Sequence, residues 1–236
     1  MNILIVNGSG AIGSSIVRGL NEHDVNLIIT SSTGENVHGN KTIQWKYSGS
    51  ESFEDLFNSI KSKYDQIDSA VNCLGSIFIK PAHLTSEDDF DNTINMNLKS
   101  SFLLLKHTIP MMRKNGGNLL FFSSAAANIG MVNHEAIAAA KGGVEAMVKS
   151  AAATYAKNNI NVNAIAPGLV DSNLSKNIIS NASALEISKK MHSIGRIGVP
   201  KDISKFAIPL IIDNSSWVSG SVFNIDGGLS TTKIAS

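Results

Sequence analysis

The sequence predicts an α/β fold: a doubly wound parallel sheet of about seven strands with helices on both faces. Three observations predict it. Short apolar runs alternate with longer segments of helical spacing along all 236 residues, the pattern of strands joined by helical crossovers. The runs are almost wholly apolar rather than alternating, as expected of strands covered on both faces. Turn-forming residues punctuate them, among them Asn115-Gly116-Gly117, Pro167-Gly168 and Asp226-Gly227-Gly228.

In chain order, Ile3–Val6 reads as a strand and Ser14–Leu20 as the start of a helix. Val25–Thr30 and the shorter Thr42–Trp45 read as strands two and three. Between them Ser31–Asn40 is rich in Gly, Ser and Asn and reads as a loop where a helix would ordinarily lie. Phe53, Leu56, Phe57 and Ile60 recur at helical spacing within Phe53–Lys63. Ala70–Cys73 is a buried strand, and Asp89–Met112 a long helix broken only near its end by Pro110. Asn118–Phe122 is a strand, Ala136–Lys157 a second long helix, and Asn161–Ala166 a strand stopped by Pro167. Lys201–Ile212 reads as helix despite Pro209, and Ser221–Ile225 as the last strand. With no repeat or linker, one domain over residues 1–236 is the simplest reading.

Hydrophobic residues make up 43% of the chain, enough for a large core, and the net charge of +1 offers no basic field for nucleic acid. Cys73 is the single cysteine, which excludes an internal disulfide and a cysteine-based metal cluster. The six histidines are scattered, so no metal is expected. The N-terminal segment lacks a basic region, and no apolar run approaches the roughly 18 residues of a membrane span. A cytoplasmic protein with no membrane partner is the expectation.

The first strand runs into Gly8-Ser9-Gly10-Ala11-Ile12-Gly13, and a helix follows. This strand–Gly-x-Gly-x-x-Gly–helix context is what dinucleotide binding needs. Glycines let the backbone approach a pyrophosphate, and the helix N-terminus offers N–H donors and partial positive charge. The sheet is then of Rossmann type. The second strand ends at Thr30-Ser31-Ser32 rather than at the carboxylate that would hold an unmodified adenosine ribose. NADP or NAD is therefore the expected cofactor, with the hydroxyls of Ser31 and Ser32 favouring NADP.

Ligands in such sheets bind beyond the carboxyl ends of the strands. The chain places small or polar loops there: Asn72-Cys73-Leu74-Gly75, Ser123-Ser124, and Pro167-Gly168-Leu169-Val170. The second long helix holds Lys141-Gly142-Gly143. Each helical glycine costs about 1 kcal/mol relative to alanine, so a close approach by another backbone or a ligand is expected there.

These residues together resemble the short-chain dehydrogenase/reductase family, especially its 3-oxoacyl-carrier-protein reductase-like branch, over nearly the whole chain. Asp68-Ser69-Ala70-Val71-Asn72-Cys73-Leu74-Gly75 is similar to the family's Asn-Asn-Ala-Gly strand end, with one Asn retained. Asn95-Met96-Asn97 resembles the segment bearing its active-site Asn, at Asn97, and Leu119–Ala125 the strand ending in its catalytic Ser, at Ser124. The segments from Gly195 to Pro200 and from Trp217 to Gly228 match its C-terminal pattern. The resemblance implies roles for Ser124, Asn97 and Lys141 in catalysis. It also implies cofactor contacts from Gly8 through Gly13, Ser31, Ser32, Asn72, Leu74, Gly75, Lys141, Pro167, Gly168 and Val170.

Three departures stand out. One residue rather than the family's three separates Gly8 from Gly10. Lys46 stands where an adenine-contacting Asp is expected. The family's Tyr-x-x-x-Lys is broken: four residues before Lys141, and thirteen after Ser124, stands Ile137.

Hydride delivery to a carbonyl leaves an alkoxide that needs a proton, a service worth about 10²–10⁴-fold, and isoleucine cannot supply it. His134 precedes Ile137 by three residues and Lys141 by seven, so a continuous helix brings all three to one face. It is the candidate acid, beside a Lys141-linked water, although such a histidine can equally cap, pack or face solvent. Three readings follow: an NAD(P)-dependent oxidoreductase of a small carbonyl or alcohol with altered acid–base residues, a dinucleotide-binding pseudoenzyme, and a non-redox lyase or isomerase. Small residues on the two long helices suggest a homodimer or homotetramer, and Asp171–Ile194 reads as a mobile lid over the substrate.

Overall fold

A computed structural model describes residues 1–213 and 217–232. Strands β1 (Asn2–Val6), β2 (Asn26–Ser31), β3 (Thr42–Gln44), β4 (Ser69–Asn72), β5 (Gly117–Phe122), β6 (Ile160–Pro167) and β7 (Val222–Ile225) form one sheet. All pairs are parallel, in the order β3-β2-β1-β4-β5-β6-β7. The order reverses between β1 and β4, which opens a crevice at their carboxyl ends. The helices are α1 (Ala11–Leu20), α2 (Ser50–Lys61), α3 (Glu87–Ile94), α4 (Ser100–Met112), α5 (Glu135–Tyr155), α6 (Lys176–Ile179), α7 (Ala182–Met191) and α8 (Pro200–Ile212).

The period-two geometry of a strand sends successive side chains to opposite faces. Leu4, Val6, Leu119 and Phe121 bury against α2, α4 and α5. Ile3, Ile5, Leu120 and Phe122 bury against α1 and α8. That is why the strands read as unbroken apolar runs.

The long helix expected over Asp89–Met112 is divided. A π-helical stretch, Asn95–Lys99, joins α3 to α4, and Pro110 lies inside α4 without ending it. The loop expected over Ser31–Asn40 begins after Ser31, the last residue of β2; it is turned by His38 and Gly39 at φ 48° and 84° and closed by a Val37–Asn40 bridge. The expectation for Gly142-Gly143 is corrected. A Cβ on Gly143 would stand 2.7 Å from Leu98 Cδ2, so that glycine admits a side chain of the π-helical stretch, not a backbone or a ligand. Gly142 has open space around it.

Candidate active site

The loops after β1, β4, β5 and β6 converge on a cleft of about 930 Å³. Gly10 through Gly13, Leu74, Gly75, Ser124, His134, Ile137, Lys141, Pro167, Gly168 and Val170 all line it.

In the glycine loop the left-handed turn residue is Asn7 at φ 60°, not a glycine. Asparagine tolerates this conformation better than most residues. Asn7 N–H donates to Thr30 Oγ1, and its Nδ2 donates to the Cys73 carbonyl, so it pins the loop to β2 and to the end of β4. The glycines are required by space. A Cβ on Gly8 would stand 2.5 Å from Ile29 Cγ2, and one on Gly13 2.6 Å from the Asn7 carbonyl oxygen and 2.9 Å from Gly8 Cα. Helix α1 has no acidic residue in its first turn. Its first N–H groups, from Ala11 to Gly13, have no acceptor within the helix. This donor set and bare backbone fit a pyrophosphate. Gly8 and the exposed Ser9 complete the turn outside the cleft lining.

Two predicted cofactor contacts sit differently from their expectation. Ser31 is fully buried, and its hydroxyl is shared with Thr33, so a ligand at this edge would meet the exposed Ser32 and Thr33 instead. Asn72 is 1% exposed. Its Nδ2 bonds the Ser100 and Ser101 hydroxyls and its Oδ1 accepts from Leu74 N–H, so it shapes the loop from below.

Asn97 also acts from behind the wall. It sits in the π-helical stretch, fully buried, with Oδ1 accepting from Ser76 N–H and Nδ2 donating to the Ser76 hydroxyl and the Thr93 carbonyl. Gly75 lies between two groups: a Cβ there would be 3.3 Å from Asn97 Oδ1 and 3.6 Å from Lys141 Nζ.

The two serines after β5 have separate tasks. Ser123 donates to Glu145 Oε1 at 2.6 Å and is committed to α5. Ser124 Oγ accepts from Ala126 N–H at 3.2 Å, which leaves its O–H to donate into the cleft. Lys141 is 7% exposed, and its Nζ donates to the Phe122 carbonyl at 2.8 Å. Burial without a carboxylate partner lowers its pKa from 10.5 to about 8. One turn earlier, Ile137 is 5% exposed. His134 caps the start of α5, its Nδ1 2.7 Å from the Val132 carbonyl. A carbonyl only accepts, so Nδ1 carries hydrogen and Nε2 remains for other work. Cys73 lines the cleft, and burial pushes its thiol up to about 12, which disfavours the thiolate.

Asn7, Ser76 and His192 line the cleft and were not foreseen from sequence. The one available signal was Asn7, which directly precedes the glycine motif. Among the described residues no cluster of metal-ligating side chains occurs, and no helix is long and apolar enough to cross a membrane.

Residues 6–230 match a family model described as enoyl-(acyl carrier protein) reductase. The chain is 32% identical over 180 residues to the 3-oxoacyl-[acyl-carrier-protein] reductase FabG of Thermotoga maritima, covering 76% of this chain and 72% of that protein. It is 30% identical to the FabG of Chlamydia pneumoniae over 96% of each. Among solved structures, a short-chain type dehydrogenase/reductase from Mycobacterium ulcerans superposes with TM-score 0.89 at 22% identity, over 97% of this chain and 89% of that one. ElxO with NADP bound gives TM-score 0.89 at 23% identity, over 98% and 99%.

Proposed function

The chain belongs to the short-chain dehydrogenase/reductase family, and we propose that it is an NAD(P)-dependent member that interconverts a carbonyl and an alcohol using acid–base residues other than the family's tyrosine. The observation that carries this reading is Lys141. A buried, uncompensated ammonium costs the fold stability, yet it stands in the same cleft as Ser124, with its pKa brought to about 8. That is close to the value a proton-handling group needs near neutrality.

When bound, the reduced nicotinamide supplies hydride to the carbonyl carbon. Ser124 donates its free O–H to the carbonyl oxygen. Lys141 would hold the nicotinamide ribose and keep a proton available. His134, fixed through Nδ1 on Val132, delivers a proton from Nε2 to the developing alkoxide, with a Lys141-bound water as the other route. The exposed Ser32 and Thr33 after β2 favour NADP, the cofactor bound in ElxO.

The substrate reads as an uncharged, apolar carbonyl compound. Ile77, Ile79, Met131, Leu174, Ile187 and Met191 line the cleft, and no Asp, Glu or Arg does so among the described residues. Pairing with a second copy through α4 and α5 is supported by a groove between them and by Phe102, which is 53% exposed there.

Turnover of an aliphatic and aromatic ketone panel with NADPH and NADH, in wild type and His134→Ala, tests the reading. Turnover with wild type is expected, and a loss of about 10²-fold or more in kcat for His134→Ala identifies the histidine as the acid. An unchanged kcat assigns the proton to the Lys141-bound water. The second reading, a dinucleotide-binding pseudoenzyme, is favoured by Ile137 in the cleft wall. It replaces the first if cofactor binds and no ketone or alcohol is converted.

A further inference from the structure

The lid expected over Asp171–Ile194 consists of α6 and α7, and neither helix has a buried side chain. Two buried residues outside those helices hold it. Ser175, 1% exposed, donates to the Val170 carbonyl at 2.6 Å. His192, 3% exposed, stands at the C-terminal cap of α7.

We infer that His192 is a positioning residue that latches this lid to the cofactor loop Pro167–Val170, through a pair of bonds that only the neutral imidazole can make. The inference rests on the dinucleotide reading above. Leu169 N–H donates to His192 Nε2 at 3.1 Å, so Nε2 is an acceptor there. His192 Nδ1 is 2.6 Å from the Ser188 carbonyl, which can only accept, so Nδ1 carries the hydrogen. Both nitrogens are committed with opposite polarity, and one tautomer satisfies both. A proton added to Nε2 would face the Leu169 N–H head on. The ring also packs tightly on the loop: a Cβ at Gly168 would stand 2.5 Å from Nε2.

Charged groups on the surrounding elements are engaged or turned outward. Asp226, after β7, accepts from Gly228 N–H and Ser230 N–H. Lys189 pairs with Glu186, and Arg196 with Asp202. Asp171 and Lys190 are exposed. Across the cleft the other titratable side chains in its lining are Cys73, His134 and Lys141. The latch therefore rests on the two imidazole bonds of His192, and breaking them releases α7 from the loop that Gly168 and Val170 contribute to the cofactor site.

Fluorescence titration with NADPH at about pH 8 and about pH 5.5, which span the range where histidines titrate, tests this in wild type, His192→Gln and His192→Leu. Trypsin cleavage at Lys176 and Lys190 on the lid is followed in parallel without cofactor. Wild type is expected to lose about tenfold in affinity in acid, the size of effect of one unpaired buried donor, with faster lid cleavage. Gln accepts from Leu169 but takes no proton, so the acid loss in affinity and the faster lid cleavage in acid both disappear. Leu gives weak binding and fast cleavage at both pH values. The latch is overturned if His192→Gln keeps the acid loss, or if His192→Leu binds NADPH and resists trypsin as wild type does. If wild type binds neither NADPH nor NADH, the dinucleotide reading fails by itself. Lid cleavage then decides the latch: rates unmoved by acid and by His192→Leu overturn it.

Discussion

Replacing Lys141 with methionine should stabilise the protein while removing its chemistry. The ammonium is almost wholly buried, and burial alone lowers its pKa from 10.5 to about 8. Each tenfold change in proton affinity is worth about 1.4 kcal/mol, so keeping the charge at neutral pH costs the fold about 3 kcal/mol. Losing the Nζ bond to the Phe122 carbonyl offsets about 1 kcal/mol of that. A net gain of about 2 kcal/mol remains, or about 4–8 °C in Tm for a chain of this size. The folded pKa lies below the unfolded one, so wild-type stability is lowest below about pH 8 and recovers as pH rises toward 10.5. Lys141→Met has no such recovery. Calorimetry across this range should show the variant's advantage shrinking as pH rises. A variant less stable than wild type near pH 7, or an advantage that ignores pH, would refute the reasoning.

Gly13→Ala forces a Cβ to within 2.6 Å of the Asn7 carbonyl oxygen. It should cost about 1–3 kcal/mol and abolish dinucleotide binding, read by thermal melting and by NADPH fluorescence. His107 stacks on Phe57 at 5.3 Å, its Nε2 is buried without a hydrogen-bond partner among the described residues, and burial, helped by nearby Lys106, lowers its pKa. The stability it permits is present above the ordinary histidine value of about 6.5 and is lost as pH falls below it. His107→Phe should therefore flatten the fall in Tm between about pH 7 and pH 5, and an unchanged slope would count against that role.

The sheet was legible because strands buried on both faces leave unbroken apolar runs, and because β1 leads directly into Gly8–Gly13. Ser124 and Lys141, singled out by their spacing in the sequence, stand together in the lining of one cleft. Other features were hidden for physical reasons. The π-helical stretch at Asn95–Lys99 keeps helical composition, so nothing in its pattern separates it from α-helix. Ser31 and Asn72 end their strands as expected, but strand alternation and local partners turn their side chains away from the cleft. Asn7 adopts a left-handed conformation usually assigned to glycine, and His192 lies 23 residues from its partner Leu169. Such contacts depend on how residues 171–194 fold back on the end of β6, which no local pattern encodes.

The most direct test of the central claim is a single turnover with an apolar ketone and NADPH carrying deuterium at the transferred position. Mass spectrometry of the alcohol should find the deuterium on the former carbonyl carbon, with transfer lost in Gly13→Ala. Bound NADPH that leaves the ketone unlabelled and unreduced would contradict the account and leave a dinucleotide-binding protein without turnover.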